Sequence, residues 1–293
     1  MVIRAEANIL GPLSLTLSLP AGERDATPSA KKQRQVLAML LARAGRFVPA
    51  AVLIDELWDE EPPKSATTVV QTYILSIRKT IAKEFDMSVT QVASSMLQTK
   101  NMGYLFSTQE ISLDLRRYQS CIESARCAKE SGNDHQAVLL FSNAEKIWTG
   151  PAFVDIEVGR LLASEKDQFE CIFLANLELR IEAQLRLERY REAAIDLALW
   201  VSRFPYHERL YAYYMYALCL AGWRDKALGV FQLARKTLAA GLGLEPCIKL
   251  QRLHGDILSS SDDTVANRMR TEHGRYLTGL IPHTVTGLTS QVS

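Results

Sequence analysis

Residues 64–83, KSATTVVQTYILSIRKTIAK, set short polar and cationic side chains at a spacing that suits contact with a nucleic acid. At about 100° per residue, Ala66, Val70, Ile74, Ile77 and Ile81 share one stripe, and Lys64, Thr68, Gln71, Thr72, Arg78 and Lys79 lie on the other side. The segment carries Lys64, Arg78, Lys79 and Lys83 and no acid. Amide, hydroxyl and guanidinium groups can hydrogen-bond base edges, and ammonium groups can pair with phosphates. Thr68, Gln71, Thr72 and Arg78 are therefore the expected base readers, and Lys64 and Lys79 the expected phosphate partners. A helix of this length spans about 27 Å and suits a major groove about 12 Å wide. An ordinary solvated surface helix presents the same pattern. The β-branched Thr67, Thr68, Val69, Val70 and Thr72 also lower helix propensity, so tertiary packing must hold the segment.

The neighbouring elements supply that packing. Ile9 to Leu19 reads ILGPLSLTLSL, a half-buried strand entered from a Gly11-Pro12 turn, and residues 20–30 read as loop. In KKQRQVLAMLLARAG, Val36, Leu37, Leu40 and Leu41 have helical spacing and Gly45 ends the run. Lys31 and Arg34 in its first turn are further expected phosphate partners. Ala50 to Trp58 forms a second helix, and Pro62, Pro63 and a Ser65 cap mark the start of the third. The acids Asp55, Glu56, Asp59, Glu60 and Glu61 would repel DNA, so this end is expected to face solvent or a protein partner. Residues 97–106, LQTKNMGYLF, read as a hairpin with Lys100 and Asn101 at its tip. Two short helices bracing a third, followed by a β wing, describe a winged helix-turn-helix, with the third helix in the major groove and the wing at the backbone.

From Asp114 to about Leu258 every segment reads helical. Leu187, Tyr190, Glu192 and Ala194 recur 33 residues later as Leu220, Trp223, Asp225 and Ala227. That offset is close to the tetratricopeptide period, and paired helices of this kind stack into arrays that bind protein segments. The expected fold is mainly α: a winged helix-turn-helix (α+β) followed by an all-α tetratricopeptide-like domain. The expected boundaries are 1–110, 111–260 and a Ser/Thr-rich flexible tail at 261–293.

A formal net charge of +1 over 293 residues requires any nucleic-acid surface to be a local patch. No apolar run is long enough to span a membrane and no signal peptide is read at the start, so a cytoplasmic, nucleoid-associated protein is expected. Cys121, Cys127, Cys171, Cys219 and Cys247 lie singly in helical patterns and read as reduced, mostly buried thiols. Gly241-Leu242-Gly243 reads as a helix stop. Phosphate-loop, nucleophile-elbow, HExxH and CxxC motifs are absent and the histidines are scattered, so no enzyme, cofactor or metal site is expected.

The stretches ILGPL, KKQRQVLAMLLARAGRFVP, LIDELWDEEPPKSATTVVQTYILSIRK and GYLF resemble the Streptomyces antibiotic regulatory protein (SARP) family. IWTGPAFVDI, FPYHERLYAYYMYAL and KALGVFQLARKTLAAGLGLEPCIKLQRLHGDIL resemble that family's bacterial transcriptional activation domain, so the likeness covers about residues 7–258. The resemblance implies an activator with an OmpR-type winged helix. It implies binding to direct repeats near a promoter −35 element and recruitment of RNA polymerase holoenzyme through sigma and other subunits. Its targets would be the promoters of a secondary-metabolite gene cluster. The near-zero net charge adds the expectation that specific binding relies on two copies on repeated sites, or on polymerase. Members commonly carry Ser-Arg where this chain has Leu75-Ser76, and Pro-Gly-Tyr in the wing where it has Met102-Gly103-Tyr104. Leu75 lies on the outward face, where it either meets a thymine methyl or packs against the wing. The competing reading is a tetratricopeptide-type protein-binding scaffold without sequence-specific DNA recognition.

Overall fold

The computed structural model describes residues 4–19, 22–109 and 111–259, with Arg4 and Leu19 as backbone only. The tail expected at 261–293 lies outside the described residues. The chain opens with β1 (Arg4–Asn8), β2 (Ser14–Leu19) and β3 (Gly22–Asp25), then α1 (Lys31–Ala42), β4 (Phe47–Pro49) and α2 (Ala50–Trp58). It continues through α3 (Ala66–Glu84), α4 (Val89–Ser95), β5 (Leu97–Lys100), β6 (Gly103–Phe106) and β7 (Ile111–Leu113). Helices α5 (Asp114–Glu130), α6 (Asp134–Glu145), α7 (Arg160–Arg186), α8 (Tyr190–Arg203), α9 (Glu208–Leu220), α10 (Arg224–Leu242) and α11 (Ile248–Ser259) follow. A small strand-rich winged domain thus precedes a helical one, as the sequence indicates. No helix among the described residues is long and apolar enough to cross a membrane.

The first sheet has the order β3-β2-β1-β7. β1 runs antiparallel to β2 (Ala7 opposite Leu15) and parallel to β7 (Ala7 opposite Leu113). The alternating Leu13, Leu15 and Leu17 are buried, as their spacing requires. The strand is shorter than expected, because Ile9 to Leu13 turn between β1 and β2. Leu10 O accepts a hydrogen bond from Thr149 N (3.0 Å), and a Cβ on Gly11 would lie 2.0 Å from Thr149 Oγ1. Residues 22–25, expected as loop, form the edge strand β3. The second sheet, β4-β6-β5, contains the wing.

Two compact units make up the described residues: those up to Glu130 with Leu139–Leu177, and Ser131–Val138 with those from Glu178 onward. In the first, Trp148 meets Tyr118 edge-on (centroids 5.8 Å) and Phe173 at a tilt (4.9 Å). In the second, α9 is buried on nearly every side, with Leu210, Tyr211, Tyr213, Met215, Tyr216 and Leu218 inside. The repeat signal translates into matching positions: Tyr190 opens α8, Trp223 precedes α10, and Ala194 and Ala227 are both buried. Gly243 stops α10 in the left-handed conformation, φ +68°. The cysteines are all free thiols, but only Cys219 is buried, and Cys127, Cys171 and Cys247 are exposed. The expectation of mostly buried thiols fails because these three fall on the outer faces of their segments.

Candidate nucleic-acid interface

α3 begins at Ala66, directly after the expected cap position Ser65, and runs to Glu84. Ser65 occupies the cap position without a side-chain cap bond. Val70, Ile74, Ile77 and Ile81 are at most 1 % exposed, so the apolar stripe fastens the helix to the winged domain. Ser76 donates to Gln33 Oε1 of α1 (3.2 Å) and adds a polar tie on the same flank. This packing offsets the weak helix propensity of the β-branched residues.

The opposite face is open. Thr68, Gln71, Thr72 and Lys79 are exposed, and Lys64 is exposed in the turn that leads into the helix. Gln71 has no hydrogen-bond partner among the described residues, so its amide is available to a ligand. Thr72 donates its hydroxyl hydrogen to Thr68 O (2.9 Å), which leaves its oxygen lone pairs free to accept. Lys31 is exposed at the start of α1.

Two of the expected contacts are placed differently. Arg78 donates from Nε (2.9 Å) and Nη2 (2.6 Å) to Leu97 O and from Nη2 to Thr99 Oγ1 (2.8 Å). Its guanidinium therefore braces the wing against α3 rather than extending to a base. Burial pulls its pKa below the ordinary arginine value, and the same burial pushes the Tyr104 phenol upward. Arg34, expected at a phosphate, is ion-paired with Asp155, and its Nη1 also donates to Pro28 O (3.3 Å). Both cations find acceptors far along the chain, which local spacing does not reveal.

The wing is a hairpin in which Lys100 faces Gly103 across the two-residue turn Asn101-Met102. Asn101 adopts φ +46°, a conformation asparagine tolerates better than most side chains. Lys100 and Asn101 are exposed at the tip, as expected. Gly103 is dictated by close approach, since a Cβ there would lie 2.3 Å from Val48 O on β4.

The acidic run at the end of α2 and just beyond it also resolves differently. Glu56 is only 3 % exposed. Its Oε1 accepts from Gly159 N (2.6 Å) and Gln35 Nε2 (3.1 Å), and its Oε2 from Leu161 N and Leu162 N (3.0 Å each). The carboxylate thus caps the start of α7, where free amides and the helix dipole favour negative charge. Asp55, Asp59, Glu60 and Glu61 remain exposed.

Residues 25–106 match the family described as "Transcriptional regulatory protein, C terminal", and residues 113–258 match the "Bacterial transcriptional activator domain". The chain is 37% identical over 253 residues to the regulatory protein DnrI of Streptomyces peucetius, covering 86% of this chain and 92% of that one. It is 31% identical over 254 residues to the transcriptional regulator RedD of Streptomyces coelicolor, covering 87% and 70%. Among solved structures, Mycobacterium tuberculosis EmbR, in complex with a low-affinity phosphopeptide, superposes with a TM-score of 0.71 at 25% identity, over 93% of this chain and 71% of that one. The fold and the open face of α3 define a winged helix-turn-helix transcriptional regulator with an attached activator domain. Within that class, the chain belongs to the Streptomyces antibiotic regulatory protein family and is a transcriptional activator of that type.

Proposed function

We propose that the chain binds direct repeats beside a promoter −35 element and recruits RNA polymerase holoenzyme, through sigma and other subunits, to a secondary-metabolite gene cluster. The observation that carries this reading is the acid-free outer face of α3, with Thr68, Gln71, Thr72 and Lys79 exposed beside a wing whose tip offers Lys100 and Asn101. Gln71, Thr68 and Thr72 read base edges. Lys64, Lys79, Lys31, Lys100 and Asn101 position the phosphate backbone. Arg78 acts on DNA indirectly, through the wing it holds, and Arg34 contributes to packing. Residues 1–110 serve as the DNA-binding part and 111–260 as the activating part. A net charge of +1 supplies little general attraction to DNA, so two copies on adjacent repeats raise affinity. The protein acts in the cytoplasm at the nucleoid.

Footprinting on the promoters of its own gene neighbourhood, with and without holoenzyme, tests this. Protection of a repeat beside the −35 element, strengthened by polymerase, is the expected result. No protection at low salt in either condition would overturn it and favour the scaffold reading.

A further inference from the structure

We infer that Leu75 is a specificity determinant that selects a thymine by its C5-methyl group. The inference rests on the docking of α3 in the major groove proposed above. On the helix, Gln71, Leu75, Thr68, Lys79 and Thr72 fall in that angular order within an arc of about 100°, so Leu75 sits well inside the outward face. Leu75 is 45% exposed, whereas the stripe on the opposite side is closed. Arg78, at the edge of that face, is drawn onto the wing by Leu97 O and Thr99 Oγ1. Leu75 keeps nearly half its surface in solvent instead.

The chemistry that such a residue recognises is narrow. Its side chain neither donates nor accepts a hydrogen bond, and the thymine methyl is the apolar group that base edges present in the major groove. Placed over a thymine, Leu75 removes apolar surface from water on both partners. Placed over a cytosine amino group or a guanine carbonyl, it strips water from a polar atom and returns no hydrogen bond. Attraction and rejection therefore favour the same base. Gln71 and Thr72, one turn or less away, supply the hydrogen bonds on either side.

Replacing each thymine of the footprinted half-site in turn by deoxyuridine deletes the methyl and leaves base pairing intact. One such replacement is expected to weaken binding of the full-length chain about fourfold, the worth of one buried methyl. Leu75→Ala, a surface change that leaves the core untouched, is expected to bind the thymine and deoxyuridine duplexes equally. Binding that is indifferent to every replacement would overturn the inference while leaving the DNA-binding reading intact. So would a Leu75→Ala protein that keeps the full thymine preference. Absence of binding to any promoter fragment would overturn both.

Discussion

At Asp114 three backbone amides converge on one buried carboxyl: Ile9 N (2.8 Å) and Leu10 N (2.7 Å) on Oδ2, and Leu115 N (2.7 Å) on Oδ1. Burial nonetheless outweighs these bonds and raises its pKa above the ordinary 3.8. The folded carboxyl then holds its proton more tightly than the unfolded one. Its contribution to stability is full below the unfolded pKa and is lost as pH rises through the folded value. An NMR titration of the Asp114 carboxyl should give a midpoint above 3.8, and a lower midpoint would contradict burial as the dominant cause. Asp114→Asn turns an NH₂ toward amide donors and should cost about 1–3 kcal/mol in urea unfolding. The same scale separates Gln71 from Arg78. Gln71→Ala should cost about 1–3 kcal/mol of binding and blur preference at one base pair. Arg78→Ala, by loosening the wing, should weaken all sequences alike. A panel of single-base operator variants distinguishes the two, and a position-specific defect for Arg78→Ala would restore it as a base reader. The exposed position of Gln71 was legible from periodicity alone. The place of Arg78 was not, because its acceptors lie on a strand that begins 19 residues further on.

Among the elements, α7 shows most clearly what one stretch of sequence conceals. Its first turn contains no acid, and the cap is Glu56, 103 residues upstream of Gly159. Glu56 looked like one member of a solvated acidic run because nothing local distinguishes it from Asp55 or Asp59. Gly159 is the complementary half: a Cβ there would lie 2.2 Å from Glu56 O. Glu56→Ala should destabilise the protein by about 3 kcal/mol, since several helix-terminal amides lose a charged acceptor. Asp55→Ala, on the exposed side of α2, should change little. Equal urea midpoints for the two variants would refute the capping role. Elements with strong periodicity were readable: α1, α2, α3, the wing and the repeat that placed α8 and α10. The short strands were not. Residues 22–25, GERD, are polar throughout and owe β3 to pairing with β2, while β7 owes its place to pairing with β1. α4 did carry a readable sign, the Ser88–Gln91 capping box, whose two bonds measure 3.1 Å and 2.7 Å.

At the scale of the molecule, a net charge of +1 implies that a few placed cations carry the salt dependence. Lys79→Ala should lower the slope of log affinity against log salt by about one, uniformly across sequences. An unchanged slope would take Lys79 off the backbone. The winged domain also does not end, physically, where its family match ends at residue 106. β1 receives β7 as a parallel neighbour, Asp114 takes the Ile9 and Leu10 amides, and Phe153 N reaches Ile9 O (3.2 Å). Asp155 accepts from Leu13 N (2.8 Å) and pairs with Arg34, and Glu56 is buried only because α7 meets it. A fragment cut at residue 110 leaves β1 as an open edge, several buried amides without acceptors and Glu56 without its three backbone-amide donors. Each such loss costs on the order of 1–3 kcal/mol, and in a domain of this size 1 kcal/mol moves the melting temperature by about 4–8 °C. Fragment 1–110 should therefore melt at least about 10 °C below fragment 1–177 when both are followed by circular dichroism. Its β1 amides should also lose protection from hydrogen exchange. Equal melting temperatures and equal protection would mean that these contacts add nothing to the stability of the winged domain, and that it folds independently of the helices that follow it.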